Sequence, residues 1–118
     1  MEAVDMILQT GFWENICPES DLIDDIGICA LLGEDQVAVF RLSGNSKLYA
    51  ISNLDPFSGA HVLSRGIVGD LKGQPVVASP IYKQHFNLQT GQCLEDGSVK
   101  LKTYPARIVD GMVQVGQP

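Results

Sequence analysis

The first 40 residues contain no lysine or arginine. They hold nine acids (Glu2, Asp5, Glu14, Glu19, Asp21, Asp24, Asp25, Glu34 and Asp35), while residues 41–118 hold eight basic and five acidic residues. The two parts therefore carry −9 and +3, which sum to the net −6 of the chain. Phosphate contacts need a basic footprint, so nucleic acid is not an expected partner. The acidic part reads either as a solvated face or as an electrostatic docking surface. No apolar run approaches the roughly 18 residues of a membrane span, so no membrane partner is expected. The start, MEAVDMILQTGF, is acidic and lacks the basic and apolar regions of a secretory signal. The expected compartment is the cytoplasm.

Catalytic and cofactor signatures are missing as well. The cysteines are Cys17, Cys29 and Cys93, an odd number with no C-x-x-C, which indicates neither a disulfide framework nor a zinc knuckle. Three reduced thiols are expected, at least one of them buried. GIVGDLKG lacks the spacing and the Lys-Ser/Thr pair of a phosphate-binding loop, and no dinucleotide fingerprint is present. There is no G-x-S-x-G nucleophile elbow. His61 and His85 are the only histidines. Cys93 with His85 would make a thiol–base pair, but no third residue orients the imidazole. A site built from both histidines with Asp55 or Asp70 competes with solvent-facing or hydrogen-bonded histidines, and the spacing favours the latter.

What the sequence does contain is a series of short β-like runs between turn residues. GICALLG (27–33), QVAVFRL (36–42) and KLYAIS (47–52) read as a three-stranded antiparallel meander. PVVAS (75–79), HFNL (85–88) and VKLKTYPARIV (99–109) follow, and Asp110-Gly111 turns the last run into MVQV (112–115) as a hairpin. PESDLIDDI (18–26) is the best helix candidate, though it is short enough to be a turn. Twelve glycines, six prolines and the lack of a sustained 3.6-residue apolar period predict an all-β domain of sandwich or barrel character. One domain over residues 1–118 is expected, with residues 1–10 a flexible N-terminus.

Two loops stand apart: Asn53 to about Gly73, and SPIYKQHFNLQTG from Ser79. The second keeps Pro80, Phe86, Leu88, Thr90 and Gly91 in step with C-P-x-H-G-x-x-F and the following turn of Rieske-type iron–sulfur proteins. YPARIVDGMVQV is similar to the end of that family, and LYAISNLDPF stands where its first C-x-H loop would be. The ligand positions then fall on Asp55 and Phe57 in the first loop and on Ser79 and Tyr82 in the second, with Lys83 in place of the glycine. A Rieske cluster takes two thiolates and two imidazoles, and none of these four side chains is either.

WENICPESDL, ISNLDPFSGAHVLSRGIVG, VASPIYKQHFNLQTGQCLED and YPARIVDGMVQV together resemble the small subunits of bacterial NAD(P)H-dependent nitrite reductase, over most of residues 13–115. The resemblance implies a Rieske-like fold of small antiparallel sheets, with the ligand positions degenerate. It implies a large-subunit partner that carries FAD, siroheme and an iron–sulfur cluster and reduces nitrite to ammonia. No catalytic residue, cofactor or metal is assigned to this chain. The alternatives are a free-standing Rieske-like interaction module and an electron-transfer protein with an atypical metal site.

With no cluster to cross-link the loops, Phe57, Pro80, Ile81 and Tyr82 are expected to form an apolar plug. Asp55 and Ser79 are expected to bond backbone N–H groups of the opposite loop. Arg65, Lys83, Gln84 and His85 are the expected partner contacts.

Overall fold

The structure is a computed structural model and describes residues 13–118. The expected flexible N-terminus, residues 1–10, lies outside them. The described residues form ten strands: β1 (Trp13–Pro18), β2 (Ile28–Leu32), β3 (Asp35–Arg41), β4 (Leu48–Ser52), β5 (Ile67–Leu71), β6 (Gln74–Ala78), β7 (His85–Asn87), β8 (Thr103–Tyr104), β9 (Ala106–Val109) and β10 (Met112–Gly116). They build three sheets of order β1-β10-β9, β2-β3-β4-β8 and β5-β6-β7, antiparallel throughout.

The middle sheet explains why QVAVFRL lacks a polar face. Side chains alternate across a strand. Ala38 and Phe40 of β3 join Ile51, Leu63, Val77, Phe86 and Leu88 in one core, beneath β5-β6-β7. Val37 and Val39 join Leu32, Ala50, Val113 and Val115 in a second core, beneath β1-β10-β9. A strand covered on both faces is apolar at successive positions. Phe40 is fully buried, which stabilises the fold by about 1.5–3 kcal/mol relative to leaving it exposed.

The meander and the final hairpin form as the sequence predicts, and several other features differ. WENICP is a strand, β1, paired with β10 and bulged between Asn15 and Cys17. The expected long loop from Asn53 to Gly73 contains β5, which turns into β6 at Lys72-Gly73. That turn has φ of 55° and 81°, close to the 52° and 77° of Asp110-Gly111. Both fit the type I′ hairpin turn, but a lysine in the left-handed region is a poor sequence signal for one. The run 99–109 is broken by Pro105 into β8 and β9. PESDLIDDI yields only a 3₁₀ turn at Glu19–Asp21, since Leu22 alone is buried and Ile23 and Ile26 are exposed, which leaves no helical apolar face.

Part of the acidic segment is tied down rather than merely solvated. The Arg41 guanidinium meets Asp24 at 2.5 Å and Glu19 at 3.5 Å and donates to the Leu22 carbonyl. Asp25 accepts from the Ser43 hydroxyl at 2.6 Å and from its N–H at 3.0 Å. Among the described residues, no helix is long and apolar enough to cross a membrane.

Candidate functional site

The loop after β4 and the loop between β6 and β7 meet at one end of the molecule. Asn53, 2% exposed, anchors the first. Its side chain accepts from Ser64 N–H at 2.7 Å and donates to Gln36 Oε1 at 3.2 Å, while its carbonyl accepts from Leu63 N–H at 3.1 Å. The loop then doubles back, with Asp55 N–H bonded to the Ala60 carbonyl and Gly59 N–H to that of Asp55, both at 2.8 Å. The second loop is equally tight. Ser79 N–H donates to the Gln84 carbonyl at 2.9 Å, and Lys83 N–H donates to that of Ser79 at 3.1 Å.

Asp55 and Ser79 join the loops. Both are buried, and the Ser79 hydroxyl donates to Asp55 Oδ2 at 2.6 Å. Their remaining bonds run within their own loops: Phe57 N–H donates to Asp55 Oδ1 at 2.9 Å and Ile81 N–H to Ser79 Oγ at 3.3 Å. The two side chains thus bond each other, not the opposite backbone as the sequence suggests. Short side chains spend their reach on their own turns and meet only at the tips.

The expected four-residue plug is reduced to one residue. Phe57 turns inward against the core, its ring 6.2 Å from Phe86 and tilted by 41°. Pro80 is exposed, Ile81 is 42% exposed and Tyr82 is 61% exposed. The Ser79–Lys83 turn is too tight to fold these side chains back over the loop. Phe57→Ala should cost about 2 kcal/mol, less than a fully buried Phe because the ring is only half covered. A fall in Tm of about 6–10 °C is expected, read by thermal denaturation.

Burial alone would raise the Asp55 carboxyl. The bonds from the Ser79 hydroxyl, from Phe57 N–H and from Ser58 outweigh it and hold the carboxyl below its usual value. A carboxylate with a lower pKa folded than unfolded stabilises the fold at pH above its unfolded value of about 3.9. That contribution is lost as pH falls through the folded value. The stability gap between wild type and Asp55→Asn should therefore be full near pH 7 and close as pH drops below about 4. Denaturant titrations at several pH values read it, and a gap constant down to pH 2 would contradict this account.

The expected partner contacts divide in two. Arg65 and Lys83 are exposed, and neither forms an ion pair among the described residues. Gln84 and His85 are half-buried, and Gln84 Oε1 is buried without a hydrogen-bond partner among the described residues. His85 meets Glu95 twice, its N–H bonding Oε1 and its Nδ1 lying against Oε2, both at 2.7 Å. Burial would raise the Glu95 carboxyl, but the His85 backbone and ring bonds and the imidazole's charge lower it. Sequence reasoning missed Glu95. Its only signal is its place in the turn after β7, where Leu94 N–H bonds the His85 carbonyl at 2.8 Å. The thiol–base pair does not form: Cys93 is buried, with Sγ 3.8 Å from Glu95 Oε1. His61 is exposed on the first loop, and Asp70 accepts from Gly73 N–H in the β5–β6 turn. Among the described residues, no three His, Cys, Asp or Glu side chains cluster as a metal site. One cleft of about 430 Å³ lies elsewhere, between Ser43–Asn45 and Val68–Asp70.

This two-loop end on three small antiparallel sheets also characterises a known family. The signature of the Rieske-like [2Fe-2S] domain matches residues 12–116. The chain is 47% identical over 103 residues to the NADH nitrite reductase small subunit of Escherichia coli K12, covering 87% of this chain and 95% of that one. The chain belongs to the nitrite reductase small-subunit family. A crystal structure of such an NADH-dependent small subunit from Mycobacterium tuberculosis superposes with a TM-score of 0.85 at 46% identity, covering 90% of this chain and 95% of that one. A Klebsiella oxytoca NAD(P)H nitrite reductase large subunit contains a similar stretch, 41% identical over 104 residues, which is 88% of this chain but 11% of that protein.

The Rieske-like family name implies a [2Fe-2S] cluster, and the donors at this small-subunit loop end do not fit one. Where thiolates and imidazoles are needed, the two loop tips offer a carboxylate and a hydroxyl already bonded to each other. The neighbouring aromatics are a phenyl ring turned into the core and a phenol turned to solvent.

Proposed function

We propose that this chain, as one Rieske-like domain, is the non-catalytic small subunit of a cytoplasmic NAD(P)H-dependent nitrite reductase that reduces nitrite to ammonia. Asp55, Phe57, Ser79 and Tyr82 stand at degenerate cluster-ligand positions, and the chain holds no cluster of its own. FAD, siroheme and the iron–sulfur cluster belong to the large subunit, the chain's partner. The observation that carries this reading is the buried Asp55–Ser79 bond, at the loop end of a chain 47% identical to a nitrite reductase small subunit. Where a cluster would bridge two loops, a hydrogen bond between side chains bridges them. The Klebsiella oxytoca protein supports the partnership, because there a similar stretch is part of the large chain itself.

Reconstitution tests the reading. The full chain should purify with far less than stoichiometric iron and associate with the large subunit. Nitrite-dependent NADH oxidation by the large subunit should change when the chain is added. Stoichiometric iron with visible absorbance would overturn the cluster-free assignment. Failure to associate, with equal activity and cofactor content in both preparations, would overturn the subunit role.

A further inference from the structure

The loop end is sealed inside and apolar outside. Ile67, Ile81 and Tyr82 are 78%, 42% and 61% exposed, beside an exposed Pro80. They share one end of the sheet: Ile67 stands opposite Ala78 in the β5–β6 ladder, and Ala78 immediately precedes the Ser79–Lys83 turn. Arg65 belongs to the same end, because a Cβ on the next residue, Gly66, would lie 2.4 Å from the Ala78 carbonyl oxygen. Three large apolar side chains flanked by two cations form the arrangement of an interface centre and its rim.

This surface is also preorganised. Lys83 is held at φ +66° by the turn bonds described above, and the Asp55–Ser79 bond fixes the two loops to each other. Little ordering remains to be done on binding, so the apolar contact is realised as affinity. Its two cations contrast with the first 40 residues, which carry nine acids and no base. A comparable stretch in Klebsiella oxytoca belongs to the large chain, where tethering raises the effective concentration and a weak contact suffices. A separate chain must draw its affinity from the contact alone.

We infer that this end is the docking face for the nitrite reductase large subunit. Ile67, Ile81 and Tyr82 fill an apolar depression on the partner, and Arg65 and Lys83 meet carboxylates on its rim. The inference rests on the subunit reading above. It is tested by titrating the purified large-subunit holoenzyme with full-length chain in a calorimeter, at two salt concentrations. The variants are I81S/Y82A, Lys83→Glu and, as a control on the exposed side of edge strand β2, Leu31→Ser. All four positions are exposed, so Tm should stay near wild type and confirm folding. I81S/Y82A should weaken binding by at least about tenfold. Lys83→Glu should weaken it severalfold and flatten its salt dependence, and Leu31→Ser should leave it unchanged. Wild-type affinity in I81S/Y82A would overturn the docking face while leaving the subunit reading intact. No binding by the wild-type chain would overturn the subunit reading itself, and the docking face with it.

Discussion

Asp55→Ala should destabilise the protein by about 3–4 kcal/mol, among the larger costs of a single substitution. The methyl group leaves the buried Ser79 hydroxyl and the Phe57 N–H without their acceptor. Each donor stranded out of water costs about 1–3 kcal/mol, and the carboxylate's charge makes the lost bonds stronger than neutral ones. Asp55→Asn should cost much less. Its amide oxygen can still accept from Phe57 N–H, and the Ser79 hydroxyl can rotate to accept from the amide nitrogen. The decisive measurement is a double-mutant cycle. Ser79→Ala alone should cost about 1–2 kcal/mol, because it removes a donor from a buried charge. Made in the Asp55→Ala background, it should cost almost nothing, since the group it deletes has already lost its partner. The resulting coupling of about 1–2 kcal/mol would measure the bond that joins the loops. Additive effects in denaturant unfolding would show that the loops are held together by other contacts, with Phe57 as the first candidate.

The parts of this architecture that were legible in the sequence are those with a local cause. Val37 to Phe40 announce a strand, and Asp110-Gly111 announces a tight hairpin turn. The two loops that meet at Asp55 and Ser79 were legible too, the second from its place before Phe86, Leu88 and Gly91. Phe86 and Leu88 fill the core beneath the loops, so that spacing is the spacing of the scaffold. What could not be read depended on distant partners or on side-chain direction in a turn. β1 is half-exposed and is a strand because β10 pairs with it across almost the whole chain. β5 alternates poorly, is interrupted by Gly69, and is followed by a lysine with positive φ. Pro80, Ile81 and Tyr82 look like filling in a linear sequence, because apolar composition does not say which way a tight loop faces. Their outward direction takes these residues out of the packing that stabilises the loop end.

Gly91→Ala should be the most damaging single-methyl change in the described part of the chain, at more than about 4 kcal/mol. Gly91 closes the turn after β7, its N–H bonded to the Asn87 carbonyl at 2.7 Å and its own carbonyl accepting from Leu101 N–H at 2.8 Å. Two separate penalties act there. Its φ of +80° lies in the region that costs a residue with a Cβ about 1–2 kcal/mol. A Cβ would also stand 2.1 Å from the Leu101 carbonyl oxygen, which is backbone and cannot turn aside. Relief would require moving Leu101 out of the core it shares with Phe86, Leu88 and Cys93. Gly111 separates the two terms. Its φ is +77°, but nothing lies within 4 Å of the Cβ position. Gly111→Ala should therefore cost only the conformational part, about 1–2 kcal/mol, and unfold as one cooperative transition like the wild type. If the two variants proved equally stable in denaturant, the close approach of Gly91 to Leu101 would have no energetic weight. If Gly91→Ala alone fails to fold, the glycine of the turn after β7 is held there by backbone crowding.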